Sequence, residues 1–326
     1  MGKRVGIEVS LAVAEAVKLC DVDVVSAYPI TPQTHIVEEL SHYVANGDLD
    51  AAFIPVESEH SAMSAAVGSA ATGARTYTAT SSQGLALMHE IMFIAPSLRL
   101  PIVMTIANRA LSGPISIWND HADIMAERDT GWIQYFCENG QESFDLTVCA
   151  FRIAEDKRVL LPVGVNLDGF ILTHMIEPIQ FMEQAEVKAF LPDFAPQLVL
   201  DPKKPVSMGP VGVPEVFIEA KKQCEQALLD SEDVVKEVLK AWGKHTGRTY
   251  KVVECNGKKK AKTVFVTMGS LGETAMTAVD GLIAAGEDVG QVRLRLWRPF
   301  PKDDMKKALK DRSEEHTSEL QSRLHL

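Results

Sequence analysis

VDVVSAYPITPQT, residues 22–34, reads as a β-branched strand running into a loop stiffened by Pro29 and Pro32, with a helix to follow. Thr31 stands where it can cap a helix that opens on Pro32. The same unit recurs downstream. AAFIPV (51–56) precedes a helical pattern over 59–72, RTYTAT (75–80) precedes one over 85–95, and LPIVMTIAN (100–108) is the next strand. A helix over 142–152 and a strand at VLLPVGVNLD (159–168) continue the series. Strands alternating with helices predict an α/β fold, a parallel sheet with helices on both faces, spanning residues 1–185. Loops that leave strands and enter helices gather at the carboxyl edge of such a sheet, where open α/β folds bind ligands.

Four successive strand ends carry polar groups. Tyr28, Pro29, Ile30 and Thr31 form a rigid loop suited to a preorganised site, or equally a stiff turn with a capping threonine. VESEHSAMSAAVGSAATGA (56–74) places Glu57, Glu59 and His60 at the head of a helix made almost wholly of Ala, Ser and Gly, able to approach another backbone closely. Acids in a first turn usually complement the helix dipole, which suffices for Glu57. Glu59, if turned into a small-residue contact, would be desolvated, which favours its protonated form. TSSQG (80–84) brings Gln83 to the third strand end, and ANRALSG (107–113) brings Arg109 to the fourth. The arginine could grip a carboxylate with its planar fork or pair structurally with a nearby acid. The acidic stretch SIWNDHADIMAERDTGW (116–132) matches no closed metal-ligand spacing and reads as a hydrogen-bonded loop or subunit contact. His89, His174 and His245 stand alone along the chain and read as structural or exposed.

The chain has 33 Lys and Arg against 44 Asp and Glu, a net charge of −11, and no basic block interleaved with aromatics, so no nucleic-acid surface is expected. Neither a signal peptide nor an apolar run of the ~18 residues that span a bilayer is recognisable, which predicts a cytoplasmic protein without a membrane contact. Cys20, Cys137, Cys149, Cys224 and Cys255 are scattered with no CxxC pair, so no disulfide framework, zinc ribbon or iron–sulfur cluster is expected within this chain. GxGxxG, GxxxxGK[ST], HExxH and GxSxG are all missing, which disfavours a self-sufficient nucleotide enzyme or hydrolase.

Residues 186–260 read as a Pro-rich linker followed by a long amphipathic helix opened by Pro214 and ended near Gly243. A second α/β unit over 261–311 begins at TVFVTMGS (263–270), has a strand at VRLRLWRPF (292–300), and looks cut short, since two strands close no stable sheet. RSEEHTSELQS (312–322) resembles the in-frame translation of a sequencing-library adapter, so residues 312–326 read as a non-native tail.

AYPITPQT, VESEHSA, ATSSQGLALMHE, ANRALSGPISIW, DHADIMAERDTGWIQ, VNLDGF and RLRLWRPFP, in this order and over residues 5–310, resemble the α subunit of the pyruvate:ferredoxin oxidoreductases within the 2-oxoacid:ferredoxin oxidoreductase family. The resemblance implies a thiamine-diphosphate-enzyme pyrimidine-binding domain followed by a transketolase C-terminal-like swivel domain. It implies oxidative decarboxylation of pyruvate to acetyl-CoA and CO₂, or the reverse. Glu59 would contact the pyrimidine ring nitrogen and promote loss of the proton from the cofactor's reactive C2. Thr31 and Arg109 would orient the 2-oxoacid, Arg109 taking its carboxylate, while Tyr28, Pro29 and Gln83 would line the cofactor. The diphosphate and Mg²⁺ would be held by a β subunit through a GDG motif that this chain lacks, and [4Fe-4S] clusters by a γ subunit or a ferredoxin-like δ subunit. Coenzyme A and ferredoxin would be co-substrates. Related family members act on 2-oxoglutarate, branched 2-oxoacids or oxalate, and a non-catalytic scaffold subunit is the alternative of another class.

Overall fold

The computed structural model describes residues 2–310; the tail read as non-native lies outside the described residues. In chain order the elements are β1 (Arg4–Glu8), α1 (Val9–Leu19), β2 (Val24–Ala27), α2 (Thr34–Asn46), β3 (Ala52–Pro55), α3 (Glu59–Ala71), β4 (Thr76–Thr80), α4 (Ser82–Met92) and α5 (Ile94–Ser97). They continue with β5 (Val103–Asn108), α6 (Ala122–Ala126), β6 (Ile133–Phe136), α7 (Gly140–Ala154), β7 (Val163–Asp168), β8 (Ile176–Gln180), α8 (Gln184–Phe190) and α9 (Pro214–Thr246). The last are β9 (Val253–Gly257), β10 (Thr263–Thr267), α10 (Leu271–Ala284), β11 (Val289–Leu294), β12 (Leu296–Arg298) and α11 (Lys302–Ala308).

Strands β4, β5, β6 and β7 are buried along their whole length, as parallel strands covered on both faces must be. They form the middle of a seven-stranded sheet ordered β12-β6-β7-β5-β4-β2-β3, parallel except for β12, which runs antiparallel to β6. One core joins the sheet to α1, α2, α7 and the buried side of α9. A second core, rich in Ala and Met, joins the opposite face to α3 and α4. The expected parallel sheet with two helical layers is therefore observed.

Sequence boundaries moved where tertiary contacts outweighed local pattern. Helix α2 starts at Thr34, not Pro32, and Gln33 precedes it without a side-chain cap; the Gln33 amide donates instead to the Tyr28 and Ala79 carbonyls at 2.8 and 3.3 Å. Helix α9 passes through Gly243 and stops at Thr246, with Gly247 in the left-handed conformation at φ 80°. Gly243 is small for a packing reason, because a Cβ there would meet Thr249 Cγ2 at 2.8 Å. The Pro-rich stretch contains α8 at its start and is irregular from 191 to 213 apart from an isolated bridge between Asp201 and Lys204.

The stretch VRLRLWRPF is two strands. β11 pairs with β10 and with β9, a strand not anticipated, in a separate three-stranded sheet, whereas β12 crosses to the edge of the large sheet. Arg295, between the two strands, is buried and explains the division. Its Nη2 donates to Glu142 Oε1 of α7 at 2.6 Å and its Nη1 to Glu254 Oε1 of β9 at 3.0 Å, so one guanidinium fastens the small unit to the large one. Breaking a buried pair leaves uncompensated charge. Arg295→Met is expected to lower unfolding stability by about 3 to 5 kcal/mol, measured as a drop in the urea midpoint with residual far-UV structure intact in water.

Candidate active site

Every sequence-predicted site residue lies at the carboxyl edge of the large sheet, in the loops or first helical turns after β2, β3, β4 and β5. Ser58 caps α3 by accepting from Ser61 N, which sets Glu59 as the first helical residue. The Glu59 side chain turns inward and the residue is only 7% exposed. A Cβ on Gly84 would lie 2.6 Å from Glu59 Oε1 and 2.6 Å from Thr80 Oγ1. The missing methyl of Gly84 is thus the space that the carboxylate fills, and sequence reading overlooked this glycine. Among the described residues no donor reaches the Glu59 carboxylate, and the neighbouring buried hydroxyls Thr80 Oγ1 and Ser81 Oγ have no partner either. Buried polar groups are nearly always paired, so the unpaired Thr80 hydroxyl beside the Glu59 carboxylate, with the unpaired Ser81 hydroxyl next along the chain, marks a place shaped for a polar ligand.

Arg109 follows β5 and is 6% exposed. It makes no ion pair among the described residues. Its Nε donates to Ser116 O at 2.9 Å and its Nη1 to Thr31 O at 2.9 Å, which leaves Nη2 without a protein acceptor there. The carbonyl bonds fix the fork while its positive charge stays uncompensated, the arrangement that best serves an incoming anion. Thr31 and Arg109 are therefore brought together by the backbone of one and the side chain of the other. Thr31, Tyr28 and Pro29 are exposed on the loop after β2. Gln83 is half-buried; its Oε1 accepts from Ser82 Oγ at 2.6 Å and its amide donates to Ser112 Oγ.

A buried carboxylate holds these loops in register. Asp123 of α6 accepts from Ser82 N at 3.1 Å, Arg109 N at 3.0 Å, Asn108 Nδ2 at 3.0 Å and its neighbour Ile124 N at 2.8 Å. Burial raises its pKa, and the hydrogen bonds from Arg109, Asn108, Ser82 and Ile124 oppose that rise. Ser82 is held at φ 48°, a strained position for a residue with a side chain. The 116–132 stretch is accordingly the hydrogen-bonded loop that its composition suggested. The three histidines read as solitary all have neighbours: His89 Nδ1 lies 2.7 Å from Glu127 Oε2, His245 Nε2 lies 3.0 Å from Glu186 O, and His174 stands beside His35. Those neighbours are distant in sequence, so spacing could not reveal them.

The fold and these strand-end groups define an open α/β domain with a ligand crevice at its carboxyl edge. A family model described as pyruvate flavodoxin/ferredoxin oxidoreductase, thiamine diphosphate-binding, matches residues 15–240, and one described as pyruvate:ferredoxin oxidoreductase core domain II matches residues 261–322. The chain belongs to the pyruvate flavodoxin/ferredoxin oxidoreductase family. It is 54% identical to pyruvate synthase subunit PorA of Methanocaldococcus jannaschii over 92% of this chain and 78% of that one. Identity is 49% to the PorA of Thermotoga maritima, covering 95% and 79%, and 44% to ketoisovalerate oxidoreductase subunit VorA of Pyrococcus horikoshii, covering 90% and 75%. A solved 2-oxoglutarate:ferredoxin oxidoreductase from Magnetococcus marinus, with 2-oxoglutarate, coenzyme A and succinyl-CoA bound, superposes with a TM-score of 0.76 at 19% identity. That likeness covers 96% of this chain and 57% of the other, and speaks for the fold. Among the described residues no helix is long and apolar enough to cross a membrane.

Removing Asp123 strands the backbone N–H groups of Ser82, Arg109 and Ile124 and takes one of two acceptors from the Asn108 amide. Asp123→Ala is expected to cost at least about 2 kcal/mol of stability, and hydrogen exchange at Ser82 and Arg109 amides should rise sharply relative to amides of α7.

Proposed function

We infer that the chain is the α-type subunit of a coenzyme A-acylating 2-oxoacid:ferredoxin oxidoreductase whose substrate is pyruvate. The reaction converts pyruvate, coenzyme A and two oxidised ferredoxins to acetyl-CoA, CO₂, a proton and two reduced ferredoxins, or runs in reverse. The observation that carries this reading is the unpaired, sheltered carboxylate of Glu59, seated against Gly84 and facing the same edge as the uncompensated Arg109 fork. Identity to most of the pyruvate synthase subunits exceeds the 44% to the ketoisovalerate subunit, which one of them only equals, and that balance favours the smaller 2-oxoacid.

The residues present fit thiamine diphosphate's pyrimidine half. Glu59 would hold a proton at the ring nitrogen, Thr80 and Ser81 offer free hydroxyls beside it, and Tyr28, Pro29 and Gln83 would wall the ring. Thiamine diphosphate, when bound, supplies an electron sink for loss of CO₂ from a 2-oxoacid. Arg109 would orient the substrate carboxylate through Nη2, and its bond to the Thr31 carbonyl holds the Thr31 loop beside it, where the Thr31 side chain would meet the keto group. Rigid placement of this kind is where most positional rate advantage arises. Mg²⁺ and the cofactor diphosphate would be held by a β subunit. The electrons would leave through iron–sulfur clusters of γ and ferredoxin-like δ subunits.

In the assembled complex, Glu59→Gln is expected to lower dye-linked pyruvate oxidation by at least ~10² with assembly intact, the scale of lost acid–base help. A scaffold subunit would show little change. Gly84→Ala should act on the same group indirectly, displacing the carboxylate and reducing turnover by ~10² while the far-UV spectrum and subunit stoichiometry stay as in the parent.

A further inference from the structure

A second cluster of chemically capable side chains lies beyond the crevice, where β1, α2 and the 169–175 loop meet. Glu8 occupies the N-cap position of α1, yet its carboxylate makes no capping bond. The first-turn amides are already satisfied by the loop: Val9 N donates to Met175 O and Ser10 N to Thr173 O, both at 3.0 Å, and Ser10 Oγ adds a bond to Thr173 O at 2.8 Å. Freed from capping, Glu8 Oε1 sits 2.6 Å from His35 Nδ1 on the first turn of α2. The same loop bonds pin the backbone on both sides of His174. Its ring lies 4.8 Å from that of His35 and 4.5 Å from that of Phe170, and its Nδ1 is 2.7 Å from Thr173 Oγ1. One ligand atom from each of Glu8, His35 and His174 falls within 4.8 Å of the other two.

We propose that Glu8, His35 and His174 bind a divalent transition-metal ion of the zinc class. Two borderline imidazoles beside one hard carboxylate suit Zn²⁺ or Co²⁺ over the all-oxygen-seeking Mg²⁺ or Ca²⁺. Metal–ligand bonds of ~2.0–2.2 Å place neighbouring ligand atoms ~3.3 Å apart, so modest side-chain rotations close the set and leave one position open. Three ligands on three separately anchored backbone segments are already held near one another, which keeps the ordering cost of binding low. When His174 Nδ1–H donates to the Thr173 hydroxyl, Nε2 presents its lone pair, the outer hydrogen bond that metal-binding histidines typically make. The ion would tie the head of α2 to the 169–175 loop. That tie lies close to the crevice, because His35 is four residues past Thr31 and a Cβ on Gly169 would meet Pro32 Cγ at 2.9 Å.

The test uses the untagged 326-residue chain, stripped with chelator and titrated with Co²⁺ as a spectroscopic probe. Visible d–d absorption is expected to saturate at a single ion per chain and to be displaced by Zn²⁺. His35→Ala, His174→Ala and Glu8→Gln should each weaken the binding by ~10-fold or more, whereas His42→Ala, an exposed histidine beside Glu39, should leave it unchanged. Circular dichroism of the metal-free variants identifies any that fail to fold, and Glu8→Gln serves where an alanine variant does. Absence of saturable absorption, or a signal that persists in the folded double variant His35→Ala/His174→Ala, would overturn the proposal, and neither result depends on the oxidoreductase reading.

Discussion

The Asp123 carboxylate is the constraint on which the crevice depends. Its acceptor sites reach the amide after β4 and the amide after β5, together with the side chain of Asn108. A single anion, removed from water and wholly committed to N–H donors, thereby fixes the spacing between two adjacent loops. Arg109 inherits its position from that bond. Its guanidinium then reaches back to the loop after β2, so three strand ends are coupled through two side chains. Ser82 tolerates a positive φ because the same carboxylate holds its amide.

Against this rigid frame, Glu59 is held by shape alone. Helix α3 approaches β4 and α4 closely because the residues on its inner face are Ala62, Ala66, Ala70 and Ala71 with Met63, and Gly84 yields the last space for the carboxylate. A charge sheltered by methyl groups and unsatisfied by protein donors is costly unless a ligand supplies the missing hydrogen bond. The neighbouring unpaired hydroxyls of Thr80 and Ser81 carry the same cost. Such concentrated dissatisfaction at a strand edge favours ligand binding over folding stability, and the buried ion pairs elsewhere, such as Arg75 with Glu155 and Arg248 with Asp145, show that this chain satisfies charge where no ligand is required.

What could be read without coordinates follows from locality. The bounds of α3 were legible because acids and then a run of small residues are written consecutively, and the strand ends bearing Thr31, Glu59, Gln83 and Arg109 were legible because alternation of elements alone places them on one edge. Gly84 was not, because its role is set by Glu59, which lies on another helix. The Asp123 hub was hidden in a stretch rich in acids, where nothing local separates the buried Asp123 and Glu127 from the exposed Asp120 and Asp129. The division of VRLRLWRPF into β11 and β12 was equally out of reach, since it is imposed by partners of Arg295 at Glu142 and Glu254, far away in the chain.

The state of Arg109 bears on how the crevice would treat different anions. An arginine already paired with a carboxylate would have to exchange partners when substrate arrives, and the gain would be small. Here the guanidinium is oriented by carbonyl dipoles from Thr31 and Ser116, which restrict its rotamer without cancelling its charge. The entropy of fixing a long side chain is thus met on folding, and the electrostatic attraction is kept for the ligand. Among the described residues only Nη2 of the three guanidinium nitrogens lacks a protein acceptor, so the fork keeps one nitrogen for a ligand. If Arg109 takes the carboxylate as proposed, selectivity among 2-oxoacids would come from what surrounds the remainder of the substrate, since every member of that class carries the same carboxylate.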